Sequence, residues 1–236
     1  MRKEILPVAL IFVVIASVFI GWIALSSQKS DDAVEPVSHD LTVIDVIKLP
    51  LPVRKGNMSL EETIQQRRSI REYTSADISL SELSQLVWAA QGITSTQGLR
   101  TVPSAGALYP LEVYIVNITG VYHYNTLNHS LEKIRSEDVQ KNLTKAALNQ
   151  DSVRQAPLKL VIMGVYERAA TKYGERAERY VHLEAGHAAQ NVLLECTSLG
   201  LGAVPIGAFD DSMVREVLEI SPDQQPLYII PIGHVS

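Results

Sequence analysis

Cysteine is nearly absent from this chain: Cys196 stands alone among 236 residues. That excludes an internal disulfide and any multi-cysteine zinc or iron–sulfur site. Cys196 falls among Leu193, Leu194 and Leu199 in a helical pattern, and reads as a small buried side chain rather than a nucleophile. Histidine is sparse too. His182 and His187 are five apart, off the i, i+4 face of a helical metal pair, and His123, His129 and His234 have no partner spacing, so no metal site is expected. Excess positive charge is missing: 21 Lys and Arg against 26 Asp and Glu leave a net charge of −5, and the basic residues are scattered. No nucleic-acid partner is expected on that charge. The chain contains no G-x-S-x-G elbow and no phosphate-binding Walker loop. Gly200, Gly202 and Gly207 follow a helical pattern with the wrong offsets for a G-x-G-x-x-G dinucleotide turn. No internal repeat is visible.

With 46% hydrophobic and 20% charged residues, the chain can bury one good core. Its first segment is a different material. Ile5 to Leu25 carries no charge, and 21 such residues at helical rise span about 30 Å, enough to cross a bilayer. We read residues 1–26 as an uncleaved single-pass membrane anchor; a cleaved signal, with Ala24 and Ser26 at the cut, is the alternative. Arg2 and Lys3 precede the span and Asp31 and Asp32 follow it, which orients the rest of the chain outside the cytoplasm. Sequons at Asn57, Asn117, Asn128 and Asn142 would permit glycosylation there. Residues 27–58 read as a tether with a short strand at 41–47, stiffened by Pro50 and Pro52. The folded domain is expected over 59–236.

Within it, Ser59 with Glu62 and Ser79 with Glu82 are capping boxes, each starting a helix. The first ends near Gln66; the second places Leu83, Leu86, Val87 and Ala90 on one face and ends at Gly92. Strands are expected at 112–117 and 121–125 around Gly120, at 158–166 as a continuous apolar run, at 203–206 and at 227–233. Helices are expected at 141–150, at 180–199 ending in Gly200, and from Asp211 or Ser212 to Glu219. A two-layer α+β fold is the simplest architecture for this order.

Three stretches could carry chemistry. Arg67-Arg68-Ser69-Ile70-Arg71 sets three guanidiniums and a hydroxyl within five residues, suited either to a phosphate or to a solvated helix C-terminus. Pro103-Ser104-Ala105-Gly106-Ala107-Leu108-Tyr109-Pro110 brackets small residues with prolines, as a tight loop does, or a backbone that must closely approach a flat ligand. Gly200-Leu201-Gly202-Ala203-Val204-Pro205-Ile206-Gly207 reads as a helix end turning into a strand, with amides left to face a ligand edge.

Taken together in this order, the three stretches resemble the FMN-dependent nitroreductase superfamily, and the central loop resembles its SagB-type dehydrogenase branch. The resemblance spans about residues 59–236 and includes the tail Pro231-Ile232-Gly233-His234-Val235. It implies a mainly antiparallel sheet flanked by helices, a homodimer that exchanges segments, and FMN at the subunit interface. Carried onto this chain, it implies that Arg67, Ser69 and Arg71 hold the FMN phosphate and ribityl chain, with contacts from Arg68. Pro103, Ser104, Ala105 and Gly106 would lie along the flavin ring, and Pro205, Ile206, Gly207 and Ala208 near its reactive edge. The family's basic residue beyond the last strand has no counterpart before Ser236, which throws the phosphate grip onto Arg67 and Arg71, with Arg100 as a third candidate. Gly207 stands where many bacterial relatives have glutamate.

The activity implied is ping-pong transfer of hydride or electrons between a donor, with NAD(P)H a candidate, and a small organic or peptide substrate. Tyr109 is the candidate proton donor or substrate-orienting group. A peptide azoline dehydrogenase and a non-catalytic flavin-binding or flavin-free scaffold are the alternatives.

Overall fold

The computed structural model describes residues 41–235. The anchor expected at Ile5–Leu25, and residues 27–40 of the expected tether, lie outside the described residues. Among those described, no helix is long and apolar enough to cross a membrane.

Strand β1 (Asp45–Lys48) comes first, then helices α1 (Leu60–Gln66) and α2 (Leu80–Gln91), each opened by its predicted capping box. A meander follows: β2 (Leu111–Asn117), β3 (Gly120–Asn125) and β4 (Ser130–Arg135). Two short helices, α3 (Gln140–Ala146) and α4 (Asp151–Gln155), lead to β5 (Leu158–Val165). Helix α5 (Tyr166–Tyr173) precedes the long α6 (Ala177–Ser198), and β6 (Leu201–Ala203), α7 (Asp211–Leu218) and β7 (Gln224–His234) complete the chain. The strands form one sheet in the order β1-β4-β3-β2-β5-β7-β6, with every adjacent pair antiparallel.

The sheet carries helices on both faces, so the expected two layers become three. Alternation along the central strands is the reason. Leu111, Val113 and Ile115 of β2 and Leu158, Leu160 and Ile162 of β5 join a core with Leu86 of α2 and Val192 of α6. Their neighbours Tyr114, Val116, Val161 and Met163 enter a second core with Leu143 of α3 and Val214 of α7. Cys196 is buried in the first core, as its pattern implied.

Other differences have local causes. β1 pairs with β4, so part of the expected tether belongs to the folded unit, which starts at Leu41. The segment after β1 is pinned by side chains: Gln85 of α2 exchanges two 2.9 Å bonds with the Val53 backbone, and Ser84 donates to the Pro50 carbonyl at 2.6 Å. β4 (Ser-Leu-Glu-Lys-Ile-Arg) escaped notice because charged residues dilute its pattern. The helix expected at 141–150 stops at Ala146 because Leu148 and Asn149 are left-handed, with φ of 56° and 57°. The cap of α7 is Asp210, whose carboxylate accepts from Met213 N–H at 2.9 Å.

Candidate functional site

Helix α1 ends at Arg67, where the backbone turns extended and runs beside the edge strand β6. Ser69 bridges Ala203 in parallel, and Ile70 N–H donates to Ala203 O at 3.0 Å. Gly202 permits this approach, since a Cβ there would meet Ile70 Cγ2 at 2.7 Å. In an extended segment alternate residues share a side. With Ile70 on Gly202, Arg67, Ser69 and Arg71 therefore fall on the other side together. Arg68 serves the helix C-terminus: its Nη1 donates to Gln65 O and Arg67 O at 2.9 and 2.8 Å, completing the helix end. No ion pair engages Arg67, Arg68 or Arg71 among the described residues. Two neighbouring cations and a hydroxyl with no counter-charge fit a phosphate.

The chain beyond β6 stays at this edge. Ile206 is buried and exchanges two backbone bonds with Ile229, at 2.8 and 3.0 Å, which fixes the turn behind the half-buried Pro205. Gly207 and Ala208 are exposed, and their amides have no acceptor among the described residues. A Cβ at Gly207 would meet nothing within 4 Å, so packing does not demand glycine here. The fold thus unites the first and third predicted stretches, residues 67–71 and 205–208, in one half-site.

The central loop forms elsewhere. Ala105–Ala107 makes a single tight turn, with Ala107 N–H on Ser104 O at 3.1 Å and Tyr109 N–H on Ser104 Oγ at 2.9 Å. Gly106, Ala107 and Tyr109 are all left-handed, at φ of 64°, 55° and 46°. Two of those three are not glycine, and such strain persists only where surroundings over-determine it. The Arg100 guanidinium lies 4.4 Å from the centre of the Tyr109 ring, and Arg168 donates to Tyr109 O at 3.1 Å. Arg168 also binds Glu112, which bonds His123 Nε2 at 2.7 Å. Burial pushes Glu112 up, but His123 and Arg168 outweigh it and hold the carboxyl at about 2. His123 is pulled down by burial, yet Glu112 and Glu132 together keep it above its ordinary 6.5. Arg100 donates to Gln91 at 2.8 Å. Within its own chain Arg100 thus buttresses this loop.

Two residues that sequence reasoning missed stand over the turn. A Cβ at Gly106 would lie 3.0 Å from Tyr173 Oη and 3.1 Å from Lys172 Nζ. Both come from the end of α5, whose polar sequence follows directly on an apolar strand and hides the change of element. Nothing in sequence spacing links them to Gly106. An ammonium and a phenol beside a turn whose Ala105 and Gly106 amides have no acceptor among the described residues can donate protons or bind an anionic group.

Within one chain the two half-sites are far apart. Ser104 sits beside Glu184 in the first half of α6, whereas Ser69 sits beside Ala203 beyond its end. The helix from Glu184 to Ser198 alone spans about 21 Å. A cavity of about 790 Å³ lies along α6 between them, lined by Thr63, Trp88, Thr101, Asn191, Glu195 and Ser198. His182 Nε2 bonds Tyr166 Oη at 2.6 Å.

The pattern of the nitroreductase family matches residues 64–234, which contain all three stretches. The chain belongs to the nitroreductase family. It is an oxidoreductase of that family, and 46% identical over 196 residues to a protein of Methanocaldococcus jannaschii described as a nitroreductase, covering 80% of this chain and 97% of that one. A solved nitroreductase-family structure from Ralstonia eutropha superposes with a TM-score of 0.74 at 32% identity, over 81% of this chain and 90% of that one. The microcin B17-processing protein McbC of Escherichia coli is 31% identical over 152 residues, or 58% of this chain and 55% of McbC.

Proposed function

We propose that this nitroreductase-family chain is an FMN-dependent oxidoreductase working as a two-fold homodimer, with each flavin between the Arg67–Arg71 edge of one protomer and the Pro103–Gly106 turn of the other. The observation that carries it is the separation of two complementary half-sites along α6. A dyad across that helix would bring unlike halves together and is the commonest symmetry of an oligomer. Arg67, Arg71 and Ser69 would hold the phosphate and ribityl chain, and the amides of Gly207 and Ala208 would face the ring edge. The bound flavin would supply hydride acceptance from a donor such as NAD(P)H and delivery to a second substrate in a ping-pong cycle. Lys172, Tyr173 and Tyr109 are the side chains positioned to orient that substrate and move its proton. The visible spectrum of the full-length chain, extracted in detergent, tests the reading, with the released cofactor identified by mass. About one FMN per chain in a dimer supports it; a colourless chain that refuses added FMN refutes it.

Lys172 and Tyr173 over Gly106, with the similarity to McbC, favour a second reading: oxidation of a peptide azoline. Loss of two hydrogens from an azoline peptide, with oxygen consumed, would establish it. For Ile5–Leu25 we propose a membrane anchor that holds the enzyme outside the cytoplasm. Retention in the membrane fraction after a carbonate wash supports the anchor, and release of a shortened chain shows a cleaved signal instead.

A further inference from the structure

The turn between Pro103 and Pro110 is backed by one acid. Glu184 projects from α6, is 3% exposed, and its Oε1 meets no hydrogen-bond donor. Ser104 and Gln91 neighbour the carboxyl and the Arg100 guanidinium acts on it through space, but Gln91 Nε2 is itself without an acceptor among the described residues. Each of the three also holds the loop: Ser104 Oγ receives Tyr109 N–H, Gln91 Oε1 receives Arg100, and Arg100 stacks on the Tyr109 ring. Glu184 therefore lies behind Ser104 and Arg100, two of the groups that hold Tyr109 in place.

A carboxylate in this position is short of donors and cut off from water. Burial dominates and pushes Glu184 up to about 7, against the pull of Ser104, Arg100 and Gln91. Were the loop to open, the carboxyl would reach water and fall back toward its ordinary 4.5. The closed state thus binds this proton more tightly than the open state, and by linkage proton release must favour opening.

We propose that Glu184 is a positioning residue that couples proton binding to closure of the Pro103–Pro110 loop: the neutral acid backs the closed turn, and ionisation releases it. In the flavin reading above, on which only this consequence rests, the loop beside the ring closes when a proton is taken up and loosens when it leaves. Other groups face the same loop. Arg100 and Tyr109 lie within it, Lys172 and Tyr173 stand at Gly106, and Arg168 holds the Tyr109 carbonyl with Glu112 and His123 behind it. On α6 itself, Tyr180 and the exposed His187 are a turn away on either side.

Amide hydrogen exchange of the 103–110 segment tests the coupling in the full-length chain, between about pH 5.5 and 8.5 with intrinsic rates divided out. Wild-type protection should fall from the acid end of the range up to about pH 7, by up to roughly tenfold per pH unit, the limit for one proton, and level off above it, where the carboxyl is ionised in both states. Glu184→Gln mimics the neutral acid and should hold the loop protected across that range, apart from any share due to His123. Ser104→Ala, which removes a neighbouring donor that lowers the carboxyl's value, should move the pH at which the fall ends upward and keeps the proposal testable should Glu184→Gln not fold. A fall in Glu184→Gln as steep as in wild type, a wild-type loop indifferent to pH, or one better protected at high pH overturns the proposal. Exchange is read without reference to colour, so a colourless chain with the expected pH response would refute the flavin and leave the coupling standing.

Discussion

Gly202→Ala tests whether the Arg67–Arg71 segment is placed by contact with β6. The added methyl would stand 2.7 Å from Ile70 Cγ2, 2.8 Å from Val235 Cγ1 and 3.1 Å from Ile70 Cβ. Carbon atoms in ordinary contact keep about 3.5–4.0 Å. Rotating Ile70 offers little relief, because its Cβ is itself too close and a β-branched side chain has few rotamers. The segment must therefore back away from β6 by roughly 1 Å, straining the 3.0 Å bond from Ile70 N–H to Ala203 O. Overpacking of this kind costs about 1–3 kcal/mol. For a chain of this size that lowers the melting temperature by about 2–12 °C. Arg67, Ser69 and Arg71 would move with the backbone. Losing one charge-assisted bond to a phosphate costs about 1.5–3 kcal/mol, a weakening of FMN binding of roughly 10- to 100-fold. Thermal unfolding and flavin-fluorescence titration measure the two effects. Gly207→Ala is the matched control, since its Cβ meets nothing within 4 Å, and its stability should stay within about 0.5 kcal/mol of wild type. Wild-type melting and FMN affinity in Gly202→Ala would refute the argument that this close approach places the arginines.

Arg67→Ala combined with Arg71→Ala should strip FMN while leaving the melting temperature nearly unchanged, because neither side chain makes an ion pair in the fold; full retention of flavin at moderate salt would sink the phosphate assignment. His123 contributes stability that is complete below its ordinary 6.5 and is lost as pH rises through its raised value in the fold. Denaturant midpoints measured upward from about pH 7, above the range in which Glu184 contributes, should therefore decline in wild type and much less in His123→Phe. Glu112 behaves oppositely: its contribution is present above its ordinary 4.5 and disappears as pH falls toward about 2, which acid titration of Glu112→Gln against wild type checks. Gly106→Ala, at a φ of 64° and under Tyr173 and Lys172, should cost about 1–2 kcal/mol and slow turnover more than it weakens FMN binding. An unchanged rate there would place the turn away from the chemistry.

Local chemistry in the sequence was enough to locate both capping boxes, the buried run of β5, the long α6 and the glycine-permitted turns, because each depends on residues within a few positions of one another. The same local chemistry marked residues 67–71, 103–110 and 200–207 as three unusual stretches. Pairings that depend on distant residues were decided by the tertiary structure. β4 is recognisable as a strand only once β1 and β3 supply its hydrogen bonds, and the second core exists only because α3 and α7 cover the face that Tyr114 and Val161 present. Ile70 against Gly202 joins two stretches 132 positions apart, and α6 holds the third away from both. Lys172, Tyr173 and Glu184 carry no signal of their own, since a lysine, a tyrosine or an acid on a helix is ordinary until the fold sets it against Gly106 or buries it behind Ser104. Sequence determines what each segment can become; burial and close approach between segments decide which side chains meet, because both are properties of distances that the linear order does not contain.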